Sequence, residues 1–251
     1  MARNPCDAVD PPRPVKRQMQ TLDAEEVRRL LEVARPAPFY PMFHLAICTG
    51  LRRTELMALR WKHADLNLAT ISVVQTLHRL RSGELIFQEP KTAKSRRLIA
   101  LTPTSALILR QHREQQELRR EALAMPLREE DLIFAQFDGS PINPDFVSQA
   151  WRRTAKAVGY QSVRLHDARH THATLMLKQG VHPKIVSERL GHATVATTLD
   201  IYSHVTPSLQ GAAALRFDEA LSPEAVSDAK NGVTQTVGWQ NISKRGNGPR
   251  T

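Results

Sequence analysis

The spacing of apolar residues changes its period twice along the chain. Val27, Leu30, Leu31 and Ala34 recur at helical spacing behind Asp23, an N-cap residue with Glu26 three positions on, so a helix is predicted to about Arg35. Pro41–Thr49 predicts a second, mostly apolar helix halted at Gly50, and Thr54–Leu59 a short third one. The period then shortens. Thr70–Thr76, Glu84–Glu89 and Arg96–Leu101 are β-branched or aliphatic-rich, split by Ser82-Gly83 and by Pro90–Ser95, and predict a three-stranded antiparallel meander. Helical spacing returns over Thr104–Ala124, Pro144–Val158, Leu165–Gln179, Pro183–Leu190, Val195–Ser203 and Ser208–Leu221. Pro103, Pro144, Pro183 and Pro207 stand at helix starts, where a missing N–H costs nothing. The expected fold class is therefore α+β, mainly α with a small three-stranded antiparallel sheet.

Both ends read differently from the middle. Residues 1–20, with Pro5, Pro11-Pro12-Arg13-Pro14 and Lys16-Arg17, predict an extended basic linker, because clustered prolines block helix. Residues 223–251 thin to Gly, Asn, Ser, Thr, Lys and Arg and predict a tail of low order. The domain between them, 21–222, is long enough to bury a proper core.

Charge narrows the class of partner. The 35 Lys and Arg against 25 Asp and Glu leave +10, a field that favours a polyanion, nucleic acid before others. Two cysteines exclude a disulfide framework, and Cys48 reads as a small buried hydrophobe. No apolar run approaches the ~18–20 residues of a membrane span, and the N-terminus has no signal-peptide core. The chain reads as cytoplasmic, with no membrane partner.

The candidate chemistry gathers late in the sequence. Tyr202 carries a phenol of pKa ~10, about one in a thousand ionised at pH 7, so as a nucleophile it needs a nearby cation or a proton acceptor. His166 and Arg169, three apart, share one side of a helix, where a guanidinium can fork onto two phosphate oxygens and an imidazole can take a proton. The same two residues also fit a helix cap and an Arg169–Asp167 pair. With His170 and His172 the stretch has the look of a metal site, but no acidic cluster accompanies these imidazoles, and the reading is of no metal and no cofactor. Arg52 lies at the junction between the helix ended by Gly50 and the next, aimed at a cleft or simply solvated beside Arg53, with Glu55 placed to hold it. Lys91 sits on a turn, suited to protonating a leaving oxygen, with Lys94, Arg96 and Arg97 beside it as exposed phosphate contacts. Arg152, Arg153 and Lys156 on one helix, and Arg164 before the next, read as phosphate contacts or as a solvated face.

In order and spacing, five blocks resemble the tyrosine recombinase, or phage-integrase, family. They are Thr49-Gly50-Leu51-Arg52-Arg53-Thr54-Glu55-Leu56, Pro90-Lys91-Thr92, Leu165-His166-Asp167-Ala168-Arg169-His170-Thr171, Leu190-Gly191-His192 and Ile201-Tyr202-Ser203-His204. The spacing is 23 residues from Arg169 to His192 and ten from His192 to Tyr202, and the likeness covers about residues 20–220. The resemblance implies the catalytic-domain fold of that family and double-stranded DNA as substrate. It also implies cleavage and rejoining through a 3′-phosphotyrosyl link, without metal or ATP. Arg52 and Arg169 would clamp the scissile phosphate, Tyr202 attack, Lys91 protonate the leaving 5′-oxygen, His166 assist proton transfer and His192 bond the phosphate. Arg53 joins the DNA contacts, and the protein would assemble as a dimer or tetramer on DNA. The helical N-terminal domain that completes the family's clamp on DNA is absent from these residues, with 1–20 in place of the linker that follows it. The alternative is a truncated relative that binds DNA without cutting it, and a relaxing topoisomerase of the same chemistry is a further reading.

Overall fold

The computed structural model describes residues 20–89, 96–202 and 206–221. The predicted turn at Pro90–Ser95, with Lys91 and Lys94, lies outside them, as do most of the N-terminal linker and all of the C-terminal tail. Two units divide the chain, residues 1–206 and 207–251.

In the first unit the order is α1 (Ala24–Ala34), α2 (Tyr40–Thr49), α3 (Arg53–Leu56), a 3-10 turn (Trp61–His63), β1 (Ala64–Asp65), β2 (Thr70–Val73), β3 (Thr76–Arg79), β4 (Leu85–Gln88) and β5 (Arg97–Ala100). Then follow α4 (Pro103–Ala122), α5 (Pro144–Ala157), α6 (Leu165–Lys178), α7 (Pro183–Leu190) and α8 (Val195–Tyr202). A further helix, α9 (Thr206–Leu221), falls in the second unit but for its first residue.

The local signals account for the boundaries. Asp23 accepts from the Glu26 N–H while Glu26 bonds back to the Asp23 N–H, a capping box that starts α1. Thr102 and Asn143 cap α4 and α5, each with proline at the first helical position. Gly50 and Gly191 close α2 and α7 in the left-handed conformation.

The β region is where the chain departs from the expected meander. A three-stranded antiparallel sheet is present, but its order is β1-β2-β5, while β3 and β4 pair as a separate hairpin. Alternation runs unbroken through Ile71, Val73, Gln75 and Leu77, so the periodicity reads as one strand. Inside that run the Gln75 amide donates to the Ala58 carbonyl at 2.6 Å, and the chain changes pairing partner there.

One core joins the helices to the larger sheet. Leu30, Phe43, Leu56, Trp61, Ile71, Ile99 and Trp151 are fully or almost fully buried. Phe43 meets the edge of Trp151 at 5.1 Å, and the Trp151 indole N–H donates to the Val163 carbonyl at 3.1 Å. A smaller cluster, Ala173, Leu177, Val186 and Leu190, seats α7 on α6. The central α2 packs against α1, α4 and α6, which brings its C-terminal turn and Arg52 beside α6 and the end of α7. Among the described residues no helix is long and apolar enough to cross a membrane.

Candidate nucleic-acid interface and active site

Three arginines from three elements converge on the last carbonyls of α7. Arg97 Nε donates to the Arg189 carbonyl at 2.7 Å. Arg169 Nη2 donates to that of Leu190 at 2.7 Å, and Arg52 Nη2 to that of Gly191 at 3.2 Å. A helix C-terminus suits cations, since its final carbonyls lack intrahelical partners and carry the negative end of the dipole. The other arm of Arg169, Nη1, reaches the Gly50 carbonyl at 2.8 Å, so one buried guanidinium ties the end of α2 to the end of α7. The alternative pair with Asp167 is not made in this way. Asp167 accepts instead from the Arg164 N–H at 2.7 Å and from its guanidinium at 3.2 and 3.3 Å.

The same device starts α3. Glu55, 2% exposed, accepts from the Arg52 backbone N–H at 2.9 Å and from Arg52 Nη1 at 2.7 Å. The sequence pointed to Glu55 as the holder of Arg52, and the structure adds a second client. Arg97 Nη1 and Nη2 meet the two Glu55 oxygens at 3.1 and 2.8 Å. Burial pushes the Glu55 carboxyl up, but the Arg97 hydrogen bond and charge, with Arg52, outweigh it and hold the group below the ordinary carboxylate range.

Arg97 thereby corrects the expectation of an exposed phosphate contact. Its side chain is 7% exposed and its nitrogens are committed inside the protein. The strand alternation carried the signal, because Arg97 and Ile99 share the inward face of β5, with the buried Leu101 just beyond it, while Leu98 is exposed. Arg96, pointing the other way, is exposed and paired with Glu89.

Beside this cluster opens a cleft of about 360 Å³ lined by Arg52, Arg53, Thr54, Ser148, Arg152, Arg164, Leu165 and His166. Among the described residues, four arginines and no carboxylate line it, which suits an anion. Arg53 is steadied by the Ser148 hydroxyl at 2.7 Å, and Arg152, Arg153 and Lys156 stand exposed along α5.

The histidines divide by environment. His166 and His170 meet edge to face at 5.0 Å on α6. Partial burial, then the Arg169 charge, lowers His166 below its ordinary value; His170 is pushed down to about 4 by burial and then by His166. His192 shares a hydrogen bond with the buried Thr198 hydroxyl at 2.8 Å. Burial first, with Arg169 and Arg52 next, takes it down to about 4. His172 faces a different neighbour, accepting from Arg189 Nε at 3.1 Å, and burial, then Arg189, takes it down to about 3. Among the described residues no group of three or more His, Cys, Asp and Glu is placed to hold a metal ion. The backbone of Tyr202 closes α8, ten residues after His192, and its side chain lies outside the described residues.

Sequence reasoning missed Arg97 as a partner of Glu55, the Arg189–His172 pair and Thr198. Only Arg97 had a local signal.

Comparison with known proteins identifies the family and the fold. The model of the phage integrase family matches residues 20–208. The ICEBs1 integrase of Bacillus subtilis strain 168 is 31% identical over 223 residues, 88% of this chain and 60% of that protein. A XerC-like tyrosine recombinase of Caldanaerobacter subterraneus subsp. tengcongensis is 27% identical over 224 residues, 82% of this chain and 57% of that protein. The chain thus spans about 60% of the length of these curated relatives. Among solved structures, XerA recombinase is similar with a TM-score of 0.62 at 25% identity, over 85% of this chain and 69% of that one. The Tn1549 transposon integrase in complex with a circular intermediate DNA shares the fold, with a TM-score of 0.65 at 20% identity over 78% of this chain and 64% of that one.

Proposed function

Because the chain belongs to the phage integrase family, we propose that it carries the catalytic part of a site-specific DNA recombinase, cutting and rejoining double-stranded DNA through an ester on Tyr202. The observation that carries this reading is the convergence of Arg52, Arg169 and His192 at the end of α7, beside a cleft lined by four arginines.

In this mechanism Arg52 and Arg169 grip the non-bridging oxygens of the scissile phosphate, and His192 hydrogen-bonds the same group. The Tyr202 phenolic oxygen attacks phosphorus in line, and its proton passes to His166, which is neutral at pH 7 and able to accept it. The bond from phosphorus to the 5′-oxygen breaks, and Lys91 supplies the proton that oxygen needs. One phosphodiester has become one 3′-phosphotyrosyl ester, so a second strand's 5′-hydroxyl can reverse the steps with no external energy source. Charge accumulates on the equatorial oxygens during attack. Fixed donors there matter most, since removing one comparable donor costs about 10²–10³ in rate.

Arg53, Arg152, Arg153, Lys156 and Arg164, with Lys94 and Arg96 near the Lys91 turn, hold the duplex by its phosphates. The Tn1549 transposon integrase, which shares the fold, has been solved in complex with DNA, and this supports a DNA partner. Exchange between two duplexes requires several subunits, so the protein assembles on DNA, in the cytoplasm where that DNA lies.

The test is a pre-nicked duplex that traps the covalent product, run on a denaturing gel. The protein yields a shifted protein–DNA band and Tyr202→Phe yields none. An adduct that persists in Tyr202→Phe, or that maps to another side chain, rejects the mechanism. Sequence-selective DNA binding with no adduct from the unaltered chain supports a non-cutting binder instead.

A further inference from the structure

Of the three guanidiniums at the end of α7, Arg97 is the one with no place in the proposed chemistry. It is buried, and its fork is fully used: Nε on the Arg189 carbonyl, Nη1 and Nη2 on the two oxygens of Glu55. It also lies against the backbone that ends α7. A Cβ on Gly191 would stand 2.9 Å from Arg97 Nη1 and 3.1 Å from its Cζ. The same Glu55 holds Arg52, and the same helix end holds Arg52, Arg169 and, one residue on, His192.

We infer that Arg97 is a positioning residue for strand cleavage: it shares Glu55 with Arg52 and pins the end of α7 to β5, so that Arg52 keeps its charge available to the scissile phosphate. This rests on the reading of Arg52 as half of the phosphate clamp.

The argument is one of charge and geometry. Counted over Arg52, Arg97, Arg169 and Glu55 alone, two positive charges are in excess at the helix end. A phosphodiester monoanion attacked by a phenolate passes through a dianion, which that excess matches. Without Arg97, the whole Glu55 charge would fall to Arg52, and a buried carboxylate competes with phosphate for the same guanidinium. The Arg189 carbonyl would also lose its partner, loosening the turn that carries His192. Lysine cannot substitute, because a single ammonium cannot reach a carbonyl and both carboxylate oxygens in a planar fork. Since Arg97 has almost no exposed surface, it displaces no counterions from DNA and adds nothing to the salt dependence of binding.

The experiment uses the full chain and a pre-nicked duplex, measuring the adduct-forming rate at saturating DNA and, separately, affinity against salt. Arg97→Met should slow adduct formation about 10²-fold, the scale of a small misplacement of a reacting group, with affinity and salt slope unchanged. Arg97→Lys should also be slow. Glu55→Gln placed on top of Arg97→Met should recover several-fold of the lost rate, because the competing carboxylate is gone; a merely structural role would leave the double variant as slow or slower. A normal rate in Arg97→Met overturns the inference, as does a double variant that recovers nothing. So does a salt slope lowered by about 0.9, which would mark a direct phosphate contact. If Arg97→Met fails to fold, Arg97→Lys takes its place in both comparisons, and a normal rate there overturns the inference equally. An unaltered chain that forms no adduct defeats the recombinase reading itself, an outcome distinct from variants that match an active parent.

Discussion

Replacing Gly50 with alanine should damage stability and chemistry together. Gly50 ends α2 at φ +67°, a conformation that costs an L-residue about 1–2 kcal/mol. The added methyl would stand 2.6 Å from Leu190 Cδ2 and 2.8 Å from His172 Cδ2. Neither neighbour has room to yield: Leu190 is fully buried in the small core under α7, and the His172 ring is held by Arg189. Overpacking of this kind costs about 1–3 kcal/mol, so the total loss should be about 2–5 kcal/mol. That is a large part of a typical domain's ~5–15 kcal/mol. Gly159→Ala is the control, because φ is +84° there but nothing lies within 4 Å of the new methyl, leaving the backbone cost alone. Equilibrium unfolding in urea reads both, with the midpoint moving and the slope fixed. Since Arg169 spans the Gly50 and Leu190 carbonyls, any shift that makes room for the methyl also moves an arginine of the proposed clamp. Adduct formation should therefore fall even where Gly50→Ala remains folded. A Gly50→Ala variant within about 0.5 kcal/mol of the parent, or no more destabilised than Gly159→Ala, would refute this account of the junction.

Two further expectations concern pH and salt. His172, pushed to about 3 in the folded protein against 6.5 ordinarily, is protonated first in the unfolded chain, so its stabilising share is intact above pH 6.5 and lost as pH falls towards 3. The unfolding free energy from urea titration should drop across that window, by up to about 1.4 kcal/mol per pH unit for His172, with His172→Gln flattening the drop; a level free energy contradicts the burial argument. Arg152→Ala, Arg153→Ala and Lys156→Ala should each lower the salt slope of DNA binding by about 0.9 without altering the adduct rate at saturation. An unchanged slope in the triple variant would make that face of α5 merely solvated.

What could be read from the sequence was whatever depended on near neighbours. Asp23 with Glu26, the prolines at the first helical positions and the glycines after α2 and α7 specify helix ends through bonds within a few residues. The Glu55 grip on Arg52 is three residues long and was visible for the same reason. Pairing partners were not. Nothing in the run from Thr70 to Thr76 says that its first half pairs with β5 and its second half begins a hairpin with β4, since both halves keep the same alternation. Arg97 lay between these cases: its charge argued for solvent, while its register with Ile99 argued for the interior, and Glu55 in three dimensions decided it. The Arg189–His172 contact joins two helices across a packed core and has no local signature.

The arginine cluster also bears on when the site comes into being. Its members come from the α2–α3 junction, β5 and α6, and they meet only at the end of a fourth element, α7. Like charges brought together repel, so no part of this arrangement is favourable until Glu55 is buried between two of them and the carbonyls of residues 189–191 face all three. The electrostatic work of assembling the proposed phosphate site is thus done during folding, against the free energy of burying Phe43, Trp151 and their neighbours, and not when DNA arrives. Donors fixed in advance need no reorganisation as charge develops on the substrate, which is the condition under which such groups contribute most to rate. It follows that, in the proposed mechanism, the packing under α7 and the reactivity of the cleft are one property, and that the residues which would make the site work include glycines and a buried carboxylate with no chemistry of their own.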